Sequence, residues 1–426
     1  MLDLLIKNGH VIDPANRTDQ IGNIAIYNGR ITRYEEGEPA RHVVDAAGRY
    51  VFPGLIDAHA HMFQEGTEIG IYPDVAYLPT GVTSAIDFSA GVANYPIFRS
   101  AVIARSRVTI KSFLQVCSAG LTTTSYHECI NPKFFNPEKI VRMYHDNRDN
   151  ILGLKIRQSE ELAEGLGIEP LKETVRIAGM AGCPVEVHCT NIPVPTSEVL
   201  KVLRPGDIFE HVYQGVKNTI IDENGKLYDC VREARKRGII FDTAEGRKHG
   251  DFDVMLKAKE QGFIADMCST DLVLGSMFRR PIFSLPNLMS RYICMGIPMS
   301  QVVSMATERP AGLMKMQGEI GCLSEGARAD VAIFRWMDFK QTYKDWKGTA
   351  FTADKLLKPE MTVKDGQIMY CAPDYIYGQR DKQWDGQRCQ IRCRKVSPGQ
   401  GRTGTLRTGD KAVWKKGLHC VRSQGF

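Results

Sequence analysis

From Leu55 to Asp271 the chain repeats one rhythm: a short apolar or β-branched run, a loop, then a stretch whose apolar residues recur at helical spacing. The runs are Leu55–His61, Val82–Phe88, Val108–Cys117, Ile151–Arg157, Pro184–Thr190, Asp207–Tyr213, Gly238–Ala244 and Phe263–Asp271. Helical candidates with recognisable ends stand between them. Asn136-Pro137 reads as a cap followed by proline at the first helical position, and Leu171–Ala181 stops at Gly182. Strands alternating with helices in this way predict an α/β fold, a (β/α)8 TIM barrel over residues 53–317, with catalytic groups at the C-terminal ends of the strands.

The flanks are patterned differently. Residues 1–52 hold short strand-like pieces punctuated by turns (IKNGHVID, IAIYNGRITRY, HVVDAAGRYV), and ARADVAIF and MTVKDGQIMY repeat that style near the other end. Gly29-Arg30-Ile31 and Gly366-Gln367-Ile368 look like related hairpins. Residues 1–52 and 318–376 are therefore expected to pair into one small β-sandwich domain built from both chain ends. Residues 377–426 are rich in Gly, Arg, Lys and Gln without a sustained apolar period, and are expected to form a disordered basic tail.

Charge changes the picture only in that tail. It holds 12 Lys+Arg against 3 Asp+Glu, so the net charge of +6 conceals a body at −3. No basic excess is left in the body to neutralise phosphates, and no nucleic-acid function is inferred. No window offers the about 18 uninterrupted apolar residues of a membrane helix, and MLDLLIKNGH turns polar too soon for a secretory signal. The twelve cysteines contain no CxxC pair and read as reduced thiols. A cytoplasmic enzyme acting on a small molecule, without a membrane or nucleic-acid partner, is the expectation, and barrels of this size commonly form homo-oligomers.

The candidate chemistry gathers at the ends of the apolar runs. His59-Ala60-His61 follows FPGLIDA, and residues i and i+2 of a strand point to the same side, so both imidazoles can reach one ion. His188 lies in VEVHCT, His211 in IFEHVY and Asp271 in MCSTD, each at the end of a run. Lys155, in ILGLKIRQ, interrupts an apolar strand, where a lone ammonium would cost several kcal/mol. Either a carboxylate pairs with it, or its amine has taken up carbon dioxide to become a carbamate, an anion able to bridge two metal ions. His10, His42, His127, His145, His249 and His419 fall in turns, loops, helical stretches or flanks and read as ordinary histidines. His127 and Tyr126, in the loop after the third run, could line a pocket or belong to a plain polar loop.

With these residues in view, the chain resembles the amidohydrolase superfamily, in the branch with HxH, a carboxylated lysine, two further histidines and an aspartate. Within it the chain is most similar to deacetylase-type, dihydroorotase-like members, on Lys155-Ile156-Arg157, Val187-His188 to Pro193, His211 to Gly215 and Ser269-Thr270-Asp271. One departure stands out: that branch tends to carry Gly-His-Gly after the seventh strand, where this chain has Ala244-Glu245-Gly246.

The resemblance implies that His59, His61 and Asp271 hold one metal ion, that His188 and His211 hold a second, and that carboxylated Lys155 bridges them. Zinc suits such donors first, with manganese, cobalt or iron open. Two divalent ions would share a hydroxide as nucleophile, and Asp271 would move its proton to the leaving group. Arg157 could clamp a substrate carboxylate or pair with a loop carboxylate such as Glu245. The implied activity is hydrolysis of an amide or ester of a small carboxylate-bearing molecule, an N-acyl amino acid or acylated hydroxy acid. A cyclic amidohydrolase of the dihydroorotase or hydantoinase kind, and a non-catalytic barrel scaffold, are the alternatives.

Overall fold

The computed structural model describes residues 1–379. Strands β1 (Leu2–Asp13), β2 (Thr18–Tyr27), β3 (Arg30–Thr32), β4 (Ala40–Asp45) and β5 (Tyr50–Pro53) open the chain. Seven more follow in alternation with helices: β6 (Leu55–Ala60), β7 (Val82–Asp87), β8 (Thr109–Gln115), β9 (Ile151–Arg157), β10 (Val185–His188), β11 (Ile208–Glu210) and β12 (Ile240–Phe241). The chain returns with β13 (Val331–Lys344), β14 (Ala350–Lys364) and β15 (Gln367–Cys371).

Strands β6 to β12 form a parallel sheet in which sequence neighbours are spatial neighbours. Every residue of β6 and β7 is buried, as expected where helices cover one face and a packed interior the other. The helix Pro137–Asp146 begins as its sequence predicts, with the Asn136 side chain accepting from the Lys139 amide at 3.0 Å. The helix Glu169–Ala181 stops on Gly182, whose φ of +71° a side chain would resist.

The eighth apolar run does not become a strand. Single parallel bridges, Asp242 with Met267 and Ala60 with Leu272, carry the curled sheet from β12 back to β6 and close it. Backbone bonds hold the run on both sides, among them the Asp271 amide to His59 O at 2.8 Å and the His61 amide to Leu272 O at 3.0 Å, and polar side chains add to them. The Ser269 amide donates to Thr243 Oγ1 at 3.0 Å and the Thr270 amide to Asp57 Oδ1 at 3.0 Å, while Ser269 Oγ donates to Asp242 Oδ2 at 2.6 Å. The run is bonded into the barrel by irregular backbone bonds and by its neighbours' side chains, which apolar periodicity does not register.

The two chain ends meet in one hydrogen-bonded sheet of order β15-β14-β13-β5-β1-β2-β3, with β4 also paired to β1. Strand β5 is the joint, parallel to β1 on one side and antiparallel to β13 on the other. Its apolar core includes Leu4, Ile6, Val11, Ile26, Val331 and Val363. The two related hairpin turns touch. A Cβ on Gly366 would fall 2.8 Å from Gly29 Cα, and both turns bond to Ala329, whose amide donates to Gly29 O and whose carbonyl accepts from the Gly366 amide, each at 2.9 Å. A helix, Pro373–Gln379, follows β15 and enters the segment expected to be tail, with Tyr375 buried and its hydroxyl donating to Asp45 O at 2.9 Å. The expectation of a disordered tail otherwise concerns residues 380–426, which lie outside the described residues.

The β13–β14 hairpin reaches the barrel. Lys347 at its tip pairs with buried Asp251 at 2.6 Å, and Asp345 Oδ2 accepts from the Phe252 amide at 3.2 Å. No described helix is long and apolar enough to cross a membrane.

Candidate active site

His59, His61, Lys155, Arg157, His188, His211 and Asp271 line one cavity of about 530 Å³ at the C-terminal ends of the barrel strands. The strand register produces this. Lys155 on β9 aligns with Glu186 on β10, and His188 aligns with Arg157 on one side and Glu210 on the other. The chain turns sharply where three of these strand ends are reached: His211, Ala244 and Asp271 have φ of +57°, +35° and +48°. Non-glycine residues hold that backbone at a cost of about 1–3 kcal/mol each, and such strain clusters where side chains must be aimed.

The imidazoles of His59, His61 and His211 share one arrangement. Their Nδ1 atoms are tied to the protein: His59 to Glu186 Oε1 at 2.7 Å, His61 to Ser89 Oγ at 3.3 Å and His211 to Ala244 O at 2.5 Å. Their Nε2 atoms turn inward. His61 Nε2 lies 3.1 Å from Asp271 Oδ1, His59 Nε2 lies 3.9 Å from the same oxygen, and His211 Nε2 lies 2.8 Å from His188 Nδ1. A ring tethered by one nitrogen and aimed by the other is the disposition of a metal-ligating histidine. Burial holds the pKa of His59, His188 and His211 well below the ordinary histidine value, favouring the neutral ring that keeps one nitrogen lone pair. The donor atoms of His59, His61 and Asp271 fall within 4.8 Å of one another, as do those of His188, His211 and His249. Two groups of nitrogen and oxygen donors thus stand side by side, a set that fits two divalent ions.

Lys155 is fully buried, its Nζ against Glu210, 3.5 Å from Glu186 Oε1 and 4.9 Å from the Phe88 ring centroid. The carboxylate pairing left open by the sequence is therefore made here, to Glu186 and Glu210, the residues immediately before the sequence positions Val187-His188 and His211. Burial brings the lysine down to about 8 and pushes Glu186 up to about 8. Glu186 Oε2 is buried without a hydrogen-bond partner among the described residues.

At the rim two sequence expectations change. Arg157 does not meet Glu245: its Nη1 donates to both carboxylate oxygens of Glu128, each at 2.9 Å. Glu245 turns inward instead, to Arg291 at 2.8 Å and to the Tyr292 hydroxyl. His249, read as an ordinary histidine, lies in the cavity wall, its ring stacked on His211 at 3.9 Å. Its Nδ1 bonds Thr190 Oγ1 at 2.7 Å and its Nε2 faces Asp271 Oδ2 at 3.5 Å, while burial lowers it to about 4. Strand ends guided the sequence reading, and His249 sits five residues past Ala244 in a loop; its signal was proximity to the departing Gly-His-Gly position. Tyr126 and His127 also line the cavity, as does Trp346 from the hairpin tip.

Known proteins resemble this chain over most of its length. A model of the amidohydrolase family matches residues 167–369. A deacetylase of Brucella anthropi is 32% identical over 322 residues, covering 75% of this chain and 80% of its own. The chain belongs to the amidohydrolase superfamily. Among solved structures, a dihydroorotase superposes with a TM-score of 0.78 at 28% identity, covering 87% of this chain and 98% of its own. An adenine deaminase gives 0.80 at 26% identity, covering 87% and 100%. This amidohydrolase is a metal-dependent hydrolase of carbon–nitrogen bonds other than peptide bonds, and the scaffold alternative falls. The neighbours' different reactions on one fold mean that substrate must be argued from the cavity.

Proposed function

We propose that this amidohydrolase is a binuclear deacylase that removes an acyl group from a small carboxylate-bearing molecule, an N-acyl amino acid or an acylated hydroxy acid. The observation that carries the reading is the convergence of His59, His61, His188, His211, Lys155 and Asp271 in one cavity, with three imidazoles tethered by their outer nitrogens. His59, His61 and Asp271 would hold one ion, zinc first, and His188 and His211 the other, with the Lys155 carbamate between them. When bound, the ions supply Lewis acidity to the scissile carbonyl and lower the pKa of a water toward neutrality.

The protein's own groups do the rest. With Lys155 near 8, roughly a tenth of its amines are neutral at pH 7 and able to add carbon dioxide, releasing one proton as the N–C bond forms. Glu186 orients His59 and Ser89 orients His61. Asp271 Oδ1, beside His61, is placed to take the proton of the attacking water and to deliver it to the departing amine or alkoxide. A cyclic amide of the dihydroorotase kind is the second reading, supported by the superposition on a dihydroorotase.

Metal content per subunit, measured by elemental analysis on protein produced with zinc and bicarbonate, tests the proposal against Lys155→Ala. About two ions in the parent and a clear loss in the variant are expected. A panel of N-acyl amino acids, O-acyl hydroxy acids and cyclic amides then separates the two readings. Near-zero metal in both proteins overturns the mechanism.

A further inference from the structure

The rim of the cavity is unequally provided with charge. Arg157 is neutralised by both oxygens of Glu128, and Glu161 accepts from Asn191 at 3.0 Å. Arg247 and Lys248 also line the cavity, are exposed, and have no ion-pair partner among the described residues. The loop that carries them is fixed to the segment bearing Asp271. The Glu245 amide donates to Ser269 O at 3.2 Å and the Gly246 amide to Thr270 O at 3.0 Å. A Cβ on Gly246, whose φ is +50°, would strike Asp271 Oδ2 and the His249 ring, so backbone lies directly against the Asp271 carboxylate. Behind it the loop is locked inward by the Glu245–Arg291 pair. The next residue is Arg247. Its Nη1 lies 3.5 Å from where a Cβ on Gly275 would stand, so the guanidinium crosses the open flank left by that glycine.

Resting on the deacylase reading, we infer that Arg247, not Arg157, is the specificity-determining residue that binds the substrate carboxylate, from a loop anchored one residue away against Asp271. A guanidinium with its donors free offers the bidentate geometry a carboxylate takes, whereas Arg157 would first have to give up Glu128.

The test uses the metal-loaded full chain and a ligand that cannot be hydrolysed. 4-Oxopentanoate, the ketone isostere of N-acetylglycine, and its neutral amide, 4-oxopentanamide, are titrated by calorimetry into the parent, Arg247→Ala and Arg247→Lys. Turnover of N-acetylglycine and N-acetylglycinamide is followed in parallel. The parent should prefer the acid, Arg247→Ala should weaken the acid by about ten- to a hundredfold with the amide unchanged, and Arg247→Lys should recover part of the loss. Equal binding of acid and amide by the parent, no binding of the acid, or an acid affinity untouched by Arg247→Ala overturns the inference. Acid-selective binding that depends on Arg247, with no acyl substrate turned over, would leave the clamp standing and overturn the deacylase reading instead. Hydrolysis without preference for the acid would do the reverse.

Discussion

Glu186 holds the outer nitrogen of His59: its Oε1 lies 2.7 Å from Nδ1, and both side chains are buried. The same oxygen stands 3.5 Å from Lys155 Nζ, so one carboxylate steadies the His59 imidazole and the lysine beside it. Removing the charge while keeping the shape should loosen the ion without unfolding the barrel. Glu186→Gln is expected to weaken the ion proposed for His59, His61 and Asp271 by about 10–100-fold, read by competition with a chelator. Unchanged metal affinity would mean that Glu186 serves Lys155 alone.

Glu245 and Arg291 form a second buried relationship, 2.8 Å apart, with the guanidinium 5.1 Å from the Phe252 ring centroid and 5.4 Å from that of Tyr292. An ion pair this deep contributes little net stability, but breaking it strands a charge. Glu245→Ala should lower stability by about 3–5 kcal/mol, read from the urea midpoint. The double change Glu245→Leu with Arg291→Met should recover most of that loss, because neither charge then remains. A double variant as unstable as the single one would assign the loss to packing.

Much of this architecture could be read from the chain because a parallel strand covered on both faces is mostly apolar or β-branched, and β6, β7 and β9 announce themselves that way. HxH and the later strand-end histidines are legible for the same reason, since a polar residue closing an apolar run stands out. The eighth position was less legible: Ser269 and Thr270 are bonded through the side chains of Thr243 and Asp57, a pattern without a period. Glu186 and Glu210 sit one residue away from recognised positions and gain their meaning only from the register that brings both to Lys155. His249 and Arg247 depend on the path of a loop, and loop paths are set by contacts distant in sequence, here Glu245 with Arg291 and Gly246 with Asp271.

Asp330 and Lys364 join β13 and β14 where the end-built sheet meets the barrel. Lys364 Nζ lies 3.2 Å from Asp330 Oδ1, both side chains are buried, and the Gly54 amide just before β6 donates to the Asp330 carbonyl at 2.8 Å. Burial already raises the Asp330 carboxyl above its usual range, with Lys364 opposing the rise. Lys364→Met removes that opposition and should raise it further. A carboxyl raised on folding favours the protonated native state, so its contribution is fully present below the unfolded pKa and is lost as pH climbs through the folded one. The variant should therefore lose about 3–5 kcal/mol near pH 7 and distinctly less near pH 4, measured as urea midpoints at the two values. A loss independent of pH would remove Asp330 as its cause.

His249 allows a sharper test of the site. It repeats the arrangement of His59, His61 and His211, with Nδ1 held by Thr190 Oγ1 at 2.7 Å and Nε2 turned inward, and its donor atom groups with those of His188 and His211. If it helps to hold the second ion, His249→Asn should weaken the metal proposed for His188 and His211 by about tenfold or more, and added zinc should restore the lost turnover. Thr190→Val, which frees the ring without removing it, should show a smaller loss of the same kind. Full metal occupancy in His249→Asn together with activity that zinc does not restore would move the imidazole from the ion to the substrate. The wall shared by His249 and Arg247 would then belong entirely to substrate recognition.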